Sequence, residues 1–377
     1  MPSGPTELSP DAARRLRLRT QGLTLPDGEP GSPGTSPVEV VRRMVALQGQ
    51  DLPAVLRAIA IRSHPGTTLD DVRAAFDAGD LVRGWTQRGT LFATTPGDLA
   101  ALVSLTGERM HRMGRRTRET EGLDDAVIAR AETISREALA APATNGGISR
   151  AAMLDLWQQA GVPIEGQRGY HLIATLALRG VLHWGPFAGA QQLMVATPTS
   201  ASGGVPAEGP DAALRRIALS YFASRGPATP DDLAWWLGLP KVPVRTAVAA
   251  LRDQQPDAVA EVIVDGKPML VGRDASGLGG ALTPGLAKPS GVVLVPGFDE
   301  IVLGYQDREL VADAEVMRIV VPFTNGIFRP AILLDGRLVG TWRRAPKRGE
   351  APFELVPGIQ VRARKAVDAA VAAWHLG

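Results

Sequence analysis

One pattern repeats three times along this chain: helices followed by a pair of short strands. Recurrence of a unit constrains the fold more than any single copy does. In the first pass, Ser36-Pro37-Val38-Glu39 predicts a helix start, with Ser36 as cap, Pro37 in the first turn and Glu39 completing a capping box. Val41, Met44, Val45 and Leu47 lie at helical spacing, so this helix is expected to reach Leu47 and break at Gly49. Asp51-Leu52-Pro53 opens the next helix, over 53–63, and Thr68 caps a third that ends at Gly79. Strands are predicted over 81–85 and 90–93 around Gln87-Arg88-Gly89. Three helices and a strand pair is the layout of a winged helix.

The second pass places helices at 149–157 and 170–179 and strands at 181–184 and 192–196; the third places helices at 212–224, 230–237 and 244–252 and a hairpin about Asp265-Gly266. A further helix is predicted at 9–20. From about Pro289 the chain reads as strands at 292–295, 301–303, 318–321, 331–334 and 337–342, with a closing helix over 362–375. The expected fold is mainly α with β: winged helices over 9–145, 146–205 and 206–280, then a β-barrel-like domain over 289–377, with linkers near 203–209 and 277–291.

Composition narrows the chemistry. Hydrophobic residues make up 45% and charged residues 21% of 377, which suits soluble globular domains. The absence of cysteine excludes disulfides and thiolate metal sites, and the five histidines show no metal-binding spacing, so neither metal nor cofactor is expected. No apolar run is long enough for a membrane span and the N-terminus lacks a signal-peptide core, which predicts a cytoplasmic protein. Of 41 basic residues five are lysine (Lys241, Lys267, Lys288, Lys347, Lys365), and the remainder are arginine, whose forked donors suit phosphate.

The run from Glu108 to Arg118 is the candidate phosphate-binding stretch. Arg109, Arg112 and Arg116 share a face if the helix is continuous, with Arg115 beside them; a merely solvated face fits the same pattern. Arg83, Gln87 and Arg88 flank the first hairpin, either as a clamp on nucleic acid or as wing surface. Gln48 and Gln50 sit where a helix break can turn two uncharged amides toward one point, able to hold a water or a polar ligand atom; a polar helix end is the plain alternative. Asp51 competes as a base, or caps the helix that follows it. There is no GxSxG and no phosphate-cradling loop, and no lysine precedes Lys241 to serve an amine-based lyase.

Taken together, Leu47-Gln48-Gly49-Gln50-Asp51, Arg88-Gly89-Thr90-Leu91, Tyr221-Phe222, Gly226-Pro227-Ala228-Thr229-Pro230-Asp231, Ala234-Trp235-Trp236, Pro296-Gly297-Phe298-Asp299-Glu300, Leu303-Gly304-Tyr305, Asn325-Gly326 and Asp335 to Trp342 resemble the winged-helix DNA glycosylases typified by AlkZ and YcaQ. Gln48 and Gln50 match the AlkZ-like branch, with Gly49 where that family usually has an apolar residue. The resemblance implies a DNA channel, excision of bulky alkylated purines from duplex DNA, and protection of producers of DNA-alkylating antibiotics or action on interstrand cross-links. It makes Gln48 and Gln50 the catalytic pair, Gln50 positioning water and Gln48 supporting the sugar cation. Asp299-Glu300 looks like an acid pair but is expected to be structural. A monomer bound to double-stranded DNA, nucleoid-associated and without lyase activity, completes the expectation. A non-enzymatic winged-helix DNA binder, either regulatory or drug-sequestering, is the alternative.

Overall fold

The computed structural model describes residues 5–24, 35–144, 146–198, 209–273, 290–322, 326–344 and 346–376. Both predicted linkers lie largely outside these residues, as does Asn325. The chain forms two compact units, one from 1–72 with 214–377 and one from 73–213.

The first unit opens with β1 (Thr6–Leu8) and α1 (Pro10–Thr20), where Ser9 caps the helix through the Ala12 N–H. α2 (Pro37–Met44) has the predicted capping box of Ser36 and Glu39. It stops three residues earlier than expected: Val45 turns to φ 64°, and the chain continues as strand β2 (Ala46–Gln48). Gly49 keeps a negative φ, so the break belongs to Val45 and not to the glycine. α3 (Leu52–Ala60) follows, and α4 (Leu69–Asp77) leads out of this unit.

In the second unit β3 (Val82–Trp85) pairs antiparallel with β4 (Leu91–Thr94) across a short 3₁₀ turn at Gln87–Gly89. Then come α5 (Pro96–Met113), α6 (Arg115–Thr120), α7 (Asp125–Ala140), α8 (Arg150–Gln159) and α9 (Arg168–Leu178). The hairpin of β5 (Leu182–Ala188) and β6 (Gln191–Ala196) lies against β3 through Arg83 and Trp184, giving the strand order β4-β3-β5-β6. Its core gathers Trp85, Met153, Trp157, Leu172, Leu176 and Met194. The buried Trp157 indole donates to Ser135 Oγ at 3.1 Å, satisfying its one polar atom.

α10 (Pro210–Arg225) returns to the first unit, followed by α11 (Pro230–Leu237), capped by Thr229, and α12 (Lys241–Gln254). β7 (Val259–Val264) and β8 (Lys267–Gly272) form the predicted hairpin, with Asp265 and Gly266 both at positive φ as a two-residue turn of this hand requires. β1 adds to β7 in parallel, an edge the sequence did not disclose.

The C-terminal strands are β9 (Val292–Val295), β10 (Ala331–Leu334), β11 (Arg337–Trp342) and β12 (Phe353–Leu355), with α13 (Glu300–Leu303) and α14 (Ala314–Val320) between β9 and β10 and α15 (Val361–Ala372) after them. Two expected strands therefore fall in helices, 301–303 wholly and 318–321 up to Val320. Their short apolar runs fit either structure, and Asp299 and Asp313 cap them as helices. The barrel expectation also gives way: the order β12-β11-β10-β9 is an open sheet. Alternating residues face opposite sides, Val293, Val295 and Leu333 joining the core with α14 and Leu18, and Leu294, Ile332, Val339 and Trp342 joining that with α15. Helices cover both faces, so the apolar residues are buried without the strands closing on themselves.

Candidate active site

Gln48 ends β2, and its position is set from within the first unit. Its backbone N–H donates to Glu300 Oε1 at 2.9 Å. Its side-chain Oε1 accepts the Gln50 N–H at 3.1 Å. Gln48 is 7% exposed, whereas Gln50 is open to solvent. The two amides thus differ in kind: one is tethered and buried, the other free to meet a ligand. The expectation of two side chains released by a break at Gly49 is replaced by a short strand whose first amide steadies the backbone of the second.

Asp51 accepts the Ala54 N–H at 2.9 Å and caps α3. Its carboxylate therefore has a structural occupation, the alternative already open from the sequence.

Beneath β2 lies a set of buried ions. Glu300 Oε2 accepts Arg225 Nη2 at 2.8 Å, Arg225 Nε at 3.1 Å and the Trp236 indole at 3.0 Å. Arg225 also donates to the carbonyls of Met44 at 2.9 Å and Ala46 at 2.8 Å. Asp299 takes a forked pair of bonds from Arg62 at 2.7 and 2.8 Å, and Arg62 reaches Gln21, which donates to the Tyr305 hydroxyl. That hydroxyl donates to the Arg225 carbonyl at 2.8 Å. Arg62, Arg225, Asp299 and Glu300 are all essentially excluded from solvent. Buried ions persist only when paired and hydrogen-bonded; each of these four has an opposite charge and hydrogen bonds, although Arg62 Nε finds no partner among the described residues. Burial raises the pKa of Tyr305 and, more strongly, of Tyr221, keeping both phenols protonated as donors. Burial, aided by the like charges of Arg62 and Arg225, lowers Arg43 to about 10. Asp299 and Glu300 are thus a frame, as expected. Arg225, Arg62 and Trp236 went unassigned from sequence; the only signals were the place of Trp236 within, and of Arg225 beside, the family-like motifs, and Arg62 had none.

In the second unit the hairpin residues differ from their expectation. Gln87 is 0% exposed and neither amide atom has a hydrogen-bond partner, so its side chain is enclosed and not projected from the hairpin. Arg83 is 9% exposed and lies 5.8 Å from the Trp184 ring centre. Arg88, at φ 56° and half-buried, lies 5.6 Å from the Phe92 ring centre. A 3₁₀ turn draws Gln87 and Arg88 inward where an open wing tip would have projected them, and Arg83 lies on β3 itself. The arginine run is also divided: α5 ends at Met113 and α6 begins at Arg115, so Arg109 and Arg112 lie on one helix and Arg115 and Arg116 on the next. Arg112 pairs with Glu108 and Arg115 with Glu119, both at 2.6 Å and exposed. Arg116 is exposed and enters no ion pair with a described residue, while Arg109 is half-buried.

A family model described as "DNA glycosylase AlkZ-like" matches residues 41–375. The chain belongs to the AlkZ-like DNA glycosylase family. It is 27% identical over 327 residues to the interstrand DNA cross-link repair glycosylase of Streptomyces sahachiroi, covering 81% of each chain. Its fold is similar to the solved structure of the Streptomyces sahachiroi DNA glycosylase AlkZ, with a TM-score of 0.76 and 22% identity over 97% of this chain and 96% of that one. For an AlkZ-like glycosylase DNA is the substrate, and β2 with its paired glutamines lies inside the matched region.

Proposed function

We propose that this AlkZ-like protein excises bulky N7-alkylguanine adducts from duplex DNA by hydrolysing the N-glycosidic bond, as a monomer, in self-resistance to a DNA-alkylating natural product. The observation that carries the reading is the solvent-open Gln50 amide beside a buried Gln48 whose Oε1 accepts the Gln50 N–H. Alkylation at N7 makes the base cationic, so it departs without a proton from the enzyme. The sugar then acquires oxocarbenium character and needs oxygen dipoles and a directed water, not a strong acid. Gln50 directs the water; Gln48 supports both the cation and the Gln50 backbone.

The four-part division at 9–145, 146–205, 206–280 and 289–377, with three winged helices, is the organisation that goes with this reading. Arg109, Arg112, Arg115 and Arg116 provide the phosphate contacts, with Arg83 and Arg88 nearer the hairpin. The reading assigns no Schiff-base amine, the first lysine along the chain being Lys241, so the expected product is an abasic site and not a nicked strand. The cross-link activity named for the Streptomyces sahachiroi relative makes a cross-linked duplex the second substrate to test.

The test is base release from duplex DNA carrying a single N7-alkylguanine. Gln48→Ala and Gln50→Ala should each slow release by ~10²-fold, the scale of losing one oriented dipole. Wild-type rates in both variants reject the assignment, and lesion-independent binding without release would mark a DNA binder.

A further inference from the structure

The strand bearing Gln48 starts from a backbone that its own sequence does not favour. Val45 sits at φ 64°, ψ −50°, a region that β-branched residues almost never occupy. Such conformations last only where the surroundings over-determine them. Here three bonds from distant residues surround the strained position: Arg225 Nη1 to the Met44 carbonyl, Arg225 Nη2 to the Ala46 carbonyl, and Glu300 Oε1 from the Gln48 N–H.

The last two have a further property. In an extended chain the C=O of residue 46 and the N–H of residue 48 lie along one edge of the strand. A neighbouring strand would answer them with one donor and one acceptor. Arg225 and Glu300 supply that donor and acceptor, and they are joined to each other at 2.8 Å. The ion pair stands in for a β-strand on that edge. Trp236 locks it, its indole donating to Glu300 Oε2 and its ring lying 4.4 Å beneath the Arg225 guanidinium.

Resting on the excision reading above, we propose that Glu300 and Arg225 are positioning residues that set the orientation of both glutamines. The line of control is short: Glu300 holds the Gln48 backbone, and the Gln48 side chain holds the Gln50 backbone. Both ions are buried, Arg225 at 0% and Glu300 at 1% exposure, so they act through the strand and not on DNA.

Glu300→Gln keeps one acceptor but turns an NH₂ toward the donors of Arg225 and Trp236, so the new amide cannot satisfy both sides. In full-length protein, single-turnover excision from a duplex carrying a single bulky N7-alkylguanine should slow at least ~10-fold while duplex affinity stays unchanged, a split that general loss of fold does not produce. Hydrogen exchange should quicken over residues 45–50 alone. Trp236→Phe, which removes one donor and retains an aromatic ring, should give the same pattern in weaker form and decides the matter if Glu300→Gln does not fold. Wild-type excision and wild-type exchange over 45–50 in the folded variants would overturn the proposal. If wild-type protein releases no base, the excision reading fails on its own; faster exchange over 45–50 then still upholds the clamp, and unchanged exchange overturns it.

Discussion

Asp51 offers its carboxylate to its own helix. The bond to the Ala54 N–H satisfies one of the donors left open at the start of α3. Asp51→Ala should cost about 1 kcal/mol of stability, as loss of a helix cap does. Base release, measured on the folded protein, should stay near the wild-type rate; a drop of ~10²-fold would instead make Asp51 a general base. At this scale the sequence was informative where chemistry is local. The cap at Asp51 could be read from its neighbours, whereas the bond from the Gln50 N–H to Gln48 Oε1 could not. Nor could the turn at Val45. Nothing near Val45 favours positive φ, and the groups that hold it, Arg225 and Glu300, lie far along the chain.

Elements follow the same logic. Helix starts at Pro10, Pro37, Arg150 and Pro230 were legible because Ser9, Ser36, Ser149 and Thr229 cap them by contacts within three residues. α13 and α14 were misread as strands because a short apolar run does not declare its period, and the capping signals of Asp299 and Asp313 went unused. β5 carries a titration of its own. His183 is buried, accompanied by Thr197 Oγ1 at 3.1 Å, and burial lowers its pKa to about 4. An unfolded histidine titrates near 6.5, so below that pH the unfolded chain binds the proton first. Stability is therefore fully present above about pH 6.5 and falls as the pH drops toward 4, by about 3 kcal/mol for a shift of this size. Urea unfolding at pH 7 and pH 4.5 should show the loss, and His183→Gln should reduce it.

For the whole molecule, a net charge of +2 is too small to drive DNA binding; the distribution of arginine must do so. If the α5–α6 run contacts phosphates, the slope of log affinity against log salt should become shallower by about 0.9 for each contact removed. Arg116→Ala should approach that value. Arg112→Ala and Arg115→Ala should fall short, because each arginine has a glutamate to leave first. Titrating undamaged duplex at several salt concentrations measures all three, and equal slopes in all variants would place the phosphate contacts elsewhere. At this scale the motifs scattered from Leu47 to Trp342 were the most legible feature, since family membership needs only their order and not the geometry that joins them.

The Arg225–Glu300 pair also has a consequence in time. Ribosomes deliver β2 early, whereas the carboxylate that squares it arrives some 250 residues later. Until then the glutamines emerge without their scaffold. If that pair orients the glutamines as proposed, an unfinished polypeptide releases no base, and a nonsense truncation upstream of Glu300 yields an inactive product.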